Sequence, residues 1–215
     1  MSDERANRKM SAILSADVKG YSILMADDEA YTVRKLEEYR TRMSNLIKAN
    51  SGRVVDAVGD NLLAEFSSAV DAVECAVQIQ KALKAKNSEL ANDKQLKFRI
   101  GVNIGDVIHD KERIYGAGVN VAARIEGLAE PGGICISKTA FDHIESKLPY
   151  GYDFLGDQTV KNIAKPVGAY RVLLDPRVTV SGKYLDKKPA PVRRMPALVG
   201  AVVVLALVVA VGIWH

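Results

Sequence analysis

The chain has 215 residues, 48% of them hydrophobic, enough to bury one full core in a domain of ordinary size. Its formal net charge of +4 resides entirely in residues 181–215, which hold five basic side chains and one acidic; residues 1–180 are neutral, which gives no support to a nucleic-acid surface there, and no nucleic-acid partner is expected. Cys75 and Cys135 stand apart, one in a helical and one in a strand pattern, and suit core positions better than a redox pair. His109 and His143 have no metal-ligand spacing to each other or to the cysteines, so no zinc site is expected.

In chain order, residues 10–16 (Met-Ser-Ala-Ile-Leu-Ser-Ala) read as a buried strand. Asp27 or Asp28 then caps a helix with Tyr31, Leu36, Tyr39, Met43, Leu46 and Ile47 at helical spacing, ending near Ser51-Gly52. Arg53–Val58 and Leu62–Phe66 flank Gly59-Asp60-Asn61, a pattern that predicts a β-hairpin. Ser67 or Ser68 caps a second long helix whose apolar face is Val70, Val73, Ala76, Val77, Ile79 and Leu83. Leu96–Ile104 is a strand, Gly105-Asp106 a turn and Val107–His109 a short continuation, with Asp106 and Asp110 as solvated turn residues. A helix over Gly118–Glu130 stops at Pro131-Gly132-Gly133, and strands at Ile134–Ser137, Tyr152–Leu155 and Ala169–Leu174 follow, with a short helix over Lys138–Ser146. The order β-α-β-β-α-β predicts an α+β, ferredoxin-like sheet with helices on one face.

The end of the chain is different. Residues 175–195 are polar and basic and carry Pro176, Pro189 and Pro191, the composition of a linker. Pro196–Trp214 has no charged residue and, as a helix, spans about 28 Å, near the ~30 Å of a bilayer's hydrocarbon core. A C-terminal transmembrane helix is expected over 196–214. Lys183, Lys187, Lys188, Arg193 and Arg194 precede it and only His215 follows, so the positive-inside rule places the domain at 8–174 in the cytoplasm, membrane-anchored, with basic residues facing anionic lipid. No apolar leader-like run opens the chain, and no secretory signal is expected.

Chemistry concentrates in three places. Asp17 in Ala16-Asp17-Val18-Lys19-Gly20 and Asp60 in Val58-Gly59-Asp60-Asn61 each put a carboxylate where a buried strand surfaces into a tight turn. Two such carboxylates suit hard cations such as Mg2+, which take oxygen ligands and share them with substrate phosphates. Asn120 and Arg124, four apart in a helical pattern, lie on one helix face and offer an amide and a guanidinium to a triphosphate.

Four segments in register over residues 8–173 resemble the class III adenylate/guanylate cyclase domain. They are Asp17-Val18-Lys19-Gly20-Tyr21-Ser22, the Gly59-Asp60 hairpin, Arg99-Ile100-Gly101-Val102-Asn103-Ile104-Gly105-Asp106-Val107, and Gly116-Ala117-Gly118-Val119-Asn120-Val121-Ala122-Ala123-Arg124. The resemblance implies a lyase that forms a 3′,5′-cyclic nucleotide from a nucleoside triphosphate, with two Mg2+ or Mn2+ ions per site, at the interface of a homodimer. It implies that Asp17, Asp60 and the Val18 main chain hold the metals, that Gly20, Tyr21 and Ser22 cradle phosphates, and that Lys161 also binds phosphate. From the partner subunit, it implies Asn120 for the ribose and Arg124 for the transition state.

The base-reading positions depart from the adenine pattern. Adenine-selecting members carry Lys four residues before the hairpin aspartate and Asp three residues before the helix-entry glycine, where this chain has Asp56 and Arg113. An acidic Asp56 would accept from guanine's N1–H and amino group, and Arg113 would donate to its O6. Three readings follow: ATP held by other groups, GTP as substrate, or a salt-bridged Asp56/Arg113 pair in a catalytically silent module that dimerises or binds nucleotide.

Overall fold

A computed structural model describes residues 7–159, 163 and 165–176. Its elements are β1 (Asn7–Val18), α1 (Tyr21–Asp27), α2 (Glu29–Ala49), β2 (Arg53–Asp56), β3 (Leu62–Phe66), α3 (Ala69–Asn87), β4 (Phe98–Asp110), β5 (Arg113–Tyr115), α4 (Ala117–Glu126), β6 (Ile134–Ser137), α5 (Lys138–Ile144), β7 (Tyr150–Gln158) and β8 (Val167–Pro176). Among the described residues the strands form one sheet in the order β2-β3-β1-β4-β6-β8-β7, with β5 paired to β4. The β2-β3-β1-β4 half is the expected antiparallel ferredoxin-like core, and β6 extends it in parallel to β4.

Alternation along β1 divides the molecule. Ala12, Leu14, Ala16 and Val18 point into the main core with Leu36, Tyr39, Met43 and Ile47 of α2 and Val73, Ala76, Val77, Ile79 and Leu83 of α3. Ser11, Ile13, Ser15 and Asp17 alternate with them and so face the other side. Asp28 caps α2 by accepting from the Tyr31 amide at 3.0 Å, and Ser68 caps α3 through the Asp71 amide at 3.3 Å. The Tyr39 hydroxyl donates to Asn87 Oδ1 at 2.9 Å, and Asn87 Nδ2 donates to the Leu96 carbonyl, so no polar group of this tie is left bare in the core.

Two expectations are corrected. The helices do not share one face: α2, α3 and α5 pack on one side, whereas α4 covers the other through Val121, Ala122 and Ile125. Nor does Gly105-Asp106 turn. β4 runs unbroken, with Gly105 and Asp106 paired to Ser11 and Met10 of β1. Gly105 is there because α4 is close: an added Cβ would lie 2.8 Å from the Gly118 Cα. Asp106 is an exposed strand residue paired with Arg8 at 3.1 Å.

Among the described residues no helix is long and apolar enough to cross a membrane. The expected span at 196–214, the linker beyond Pro176 and Lys161 lie outside the described residues.

Candidate active site

Asp17 is the penultimate residue of β1, opposite Arg99 in the β1–β4 ladder. Arg99 Nη2 donates to Asp17 Oδ2 at 2.5 Å and lies 3.6 Å from Glu126 Oε1. Glu126, at the end of α4 and 4% exposed, accepts from Ser15 Oγ at 2.8 Å. Burial pushes its carboxyl up to about 7; the Ser15 and Arg99 contacts oppose that, and the charges of Asp17 and Asp60 add to it.

Asp60 reaches the same place from the β2–β3 hairpin, whose turn is fixed by Gly59 in the left-handed region. Arg40 of α2 donates to the Gly59 and Asn61 carbonyls on either side of Asp60, the second at 3.2 Å. The two aspartates meet. Asp60 is pushed up to about 6, first by burial and then by the hydrogen bond and charge of the Asp17 carboxyl beside it, with the Val18 amide pulling the other way.

This donor pair fits a divalent cation. Two carboxyls crowded enough to share a proton are relieved by a metal, and a cation that keeps only two protein carboxylates has room for phosphate oxygens. Among the described residues no group of three or more His, Cys, Asp and Glu is arranged to hold a metal. Glu126 stands behind the pair, already engaged with Ser15 and Arg99.

After Val18 the chain turns at Gly20, whose left-handed backbone (φ 74) disfavours any side chain, and enters α1 at Tyr21 and Ser22. Tyr21 packs against the main core while Gly20 and Ser22 are exposed, so this turn borders the aspartate pair as a solvent-facing main-chain segment.

Asn120 and Arg124 share the exposed side of α4. Among the described residues neither side chain makes a hydrogen bond or ion pair, and neither is linked to Asp17 or Asp60. The helix that carries them is seated by close approach: a Cβ at Gly101 would lie 2.3 Å from the Ala122 carbonyl, and Asn103 Nδ2 donates to the Gly118 carbonyl at 2.9 Å.

Asp56 and Arg113 also lie on this side. The β2–β3 register shifts between Val54 and Asp56, so Asp56 pairs with Leu63 where plain alternation would have set it on the core side with Val54. The bulge re-aims Asp56 onto the face it shares with Arg53 and Glu65. Arg113 is exposed and held above its ordinary value by the Tyr115 hydroxyl first and by the Asp56 charge as well. The two make no ion pair within 4.0 Å, so the salt-bridged alternative is not formed here.

Sequence reasoning missed Arg99, Glu126, Ser15 and Arg40 as site residues. The signal for Arg99 was its strand register opposite Asp17.

The family model for the adenylate and guanylate cyclase catalytic domain matches residues 5–172. A putative adenylate cyclase from Rhizobium meliloti is 42% identical over 168 residues, covering 78% of this chain; the chain spans only 29% of that relative's length. The crystal structure of an adenylate/guanylate cyclase/hydrolase from Silicibacter pomeroyi superposes with a TM-score of 0.74 at 35% identity, over 80% of this chain and all of that one. The adenylyl cyclase CyaB from P. aeruginosa superposes at 0.69 with 25% identity, over 80% of this chain and 98% of that one. With the paired aspartates, the open α4 face and a match over nearly all of the described residues, the chain belongs to the class III adenylate/guanylate cyclase family, a family of lyases.

Proposed function

We propose that the chain converts ATP to 3′,5′-cyclic AMP and pyrophosphate at a site completed by a second copy of itself. The observation that carries this reading is the meeting of Asp17, at the end of β1, and Asp60, in the β2–β3 turn, two carboxyls crowded together at one end of the sheet. Two Mg2+ or Mn2+ ions would be held by Asp17, Asp60 and the Val18 carbonyl. Bound there, the cations would activate the ribose 3′-hydroxyl and neutralise the triphosphate. The turn from Val18 to Ser22 presents main-chain groups to the phosphates, with Lys161 as a further phosphate ligand. Positioning and charge stabilisation account for the rate, since little covalent work is left for the protein. Asn120 orients the ribose. Arg124, whose planar donors match phosphate oxygens, stabilises charge developing at phosphorus. That both are exposed, and among the described residues bonded neither to each other nor to the aspartates of their own chain, supports assigning them to the site of the partner copy.

A second reading is favoured by one feature: the bulge that turns Asp56 onto the open face near Arg113. An acidic acceptor beside a guanidinium donor matches the Watson–Crick edge of guanine, and on that reading the substrate is GTP. A silent nucleotide-binding or dimerising module is the remaining alternative, supported by the same Asp56/Arg113 departure. Incubating the protein with each of the four nucleoside triphosphates and Mn2+ and assaying cyclic product decides among the three. Product from ATP alone supports the first reading, product from GTP the second, and none from any of them rules out the enzyme. The charge-free run at 196–214 would anchor the domain to the cytoplasmic side of a membrane, which fractionation of the expressed chain tests.

A further inference from the structure

At the end of the sheet away from the aspartate pair, Glu65 is 5% exposed yet meets four polar atoms. Its Oε1 accepts from Ser11 Oγ at 2.6 Å and lies 3.0 Å from His109 Nε2. Its Oε2 takes Nε and Nη2 of Arg53 at 2.8 and 2.7 Å. The third nitrogen of that guanidinium, Nη1, donates to the main-chain carbonyl of Glu112 at 2.9 Å.

Glu112 sits in the turn between β4 and β5, immediately before Arg113. Asp56 sits three residues beyond Arg53 on β2, turned to the same face by the bulge. β5 is three residues long and pairs only with β4, whereas β2 is separated from β4 in the sheet by β3 and β1. The Arg53 fork is therefore a direct tie between the strand bearing Asp56 and the turn that leads into Arg113. It is also a stiff one. A guanidinium with two nitrogens on one oxygen of a buried carboxylate and the third on a main-chain carbonyl has little freedom, and the other carboxylate oxygen is fixed in turn by Ser11.

We propose that Arg53, seated on Glu65, is a positioning residue that sets the spacing between Asp56 and Arg113 and thereby the discrimination between purine bases. The proposal rests on the reading of Asp56 and Arg113 as base contacts. A base edge is selected by donors and acceptors held at fixed separation, and releasing one of them lets the site accommodate the wrong base.

Arg53→Lys tests it: lysine keeps a cation against Glu65 but has no third nitrogen for the Glu112 carbonyl. The 215-residue chain is titrated by calorimetry with 3′-deoxy-ATP and 3′-deoxy-GTP, which lack the attacking hydroxyl, so the readout does not depend on turnover. Asp56→Asn is measured in parallel. The expected result is that both substitutions narrow the ratio of the two dissociation constants about five- to tenfold. A general loss of folded protein would instead lower the number of sites and leave the ratio unmoved. A ratio changed by Asp56→Asn alone overturns the positioning role and leaves the base-reading assignment standing. A ratio changed by Arg53→Lys alone shows an effect not routed through Asp56 and overturns the proposal as stated. If neither changes it, or the unmodified chain binds neither nucleotide, the base-reading assignment falls and this proposal with it. Where Arg53→Lys does not fold, Glu65→Gln, which keeps the shape and loses the charge, is put through the same comparison.

Discussion

Asp17 is not a free carboxylate, because Arg99 is bonded to it at 2.5 Å and also lies 3.6 Å from Glu126. The guanidinium orients Asp17 while the buried Glu126 near it offsets part of the positive charge, which on the proposed function keeps the aspartate pair suited to a cation. Glu126 carries a cost that pH reveals. Its folded value of about 7 stands above the ordinary 4.5, so the folded state binds a proton more tightly than the unfolded state. Stability from this group is therefore fully present below about pH 4.5 and is lost as pH rises through about 7. Glu126→Gln, in EDTA, should raise the denaturation midpoint at pH 8, corresponding to about 2–3 kcal/mol, and the gain should shrink toward zero by pH 5. A gain that does not vary with pH would show that Glu126 is not protonated on folding. Among the described residues Arg124 bonds to nothing, and the proposed function gives it a part in the chemistry. Arg124→Ala should lower kcat about 100- to 1,000-fold with the denaturation midpoint unchanged, a loss typical of removing one donor to developing charge.

The long helices were legible because their signals are local: Asp28 and Ser68 cap α2 and α3 as their sequences indicate, and the apolar spacing names the buried faces. The β2–β3 hairpin was equally plain from Gly59-Asp60-Asn61. What escaped has non-local causes. The seven-residue α1 and three-residue β5 are too short for periodicity to register. Amphipathicity says that α4 has a buried side, but not which face of the sheet it covers. Gly105 reads as a turn in sequence because the reason for it, α4 packed against β4, lies in another part of the chain. The same limit applies to the site. Asp17 and Asp60 stand out in their turns, whereas Arg99 is 82 residues from Asp17 and Glu126 is 111 from Ser15. The seating of α4 makes a prediction of its own. Gly101→Ala puts a methyl group 2.3 Å from the Ala122 carbonyl and 2.4 Å from the Glu126 amide, both backbone atoms of α4. The helix must lift, which should cost about 1–3 kcal/mol by thermal denaturation. It should also lower kcat more than KM for nucleotide, because Asn120 and Arg124 ride on α4. Unchanged kcat in a destabilised variant would detach the helix position from the chemistry.

At the scale of the whole molecule, the proposed function divides the labour between Asp17 and Asp60 of one copy and Asn120 and Arg124 on α4 of another, and so calls for two copies. Asp17→Ala and Arg124→Ala should each be inactive alone. Mixed and allowed to exchange, half of the dimers pair one of each and hold one intact site of two, so about a quarter of the unmodified activity should return. Mixed variants that form dimers and stay inactive would place all four residues in one chain's site. Where the dimer's driving force lies is a separate question. The core is built from residues between Ala12 and Leu174, and the described residues form one compact unit. Tyr115, two residues beyond Arg113 on β5, is a large side chain left exposed. On the proposed function the domain associates through the face that bears it. In the sequence beyond it, Ala197, Gly200, Ala201, Ala206, Ala210 and Gly212 would let two membrane spans approach, a second possible source of dimerisation. Ending the chain at residue 180 separates the two. By sedimentation and cyclic-nucleotide assay, the truncated protein should be a soluble dimer with the activity of the full chain. If it is instead monomeric and inactive, yet regains both properties when fused to a dimeric coiled coil, association comes from the segment beyond the domain, and the exposed sheet face only aligns two copies already brought together.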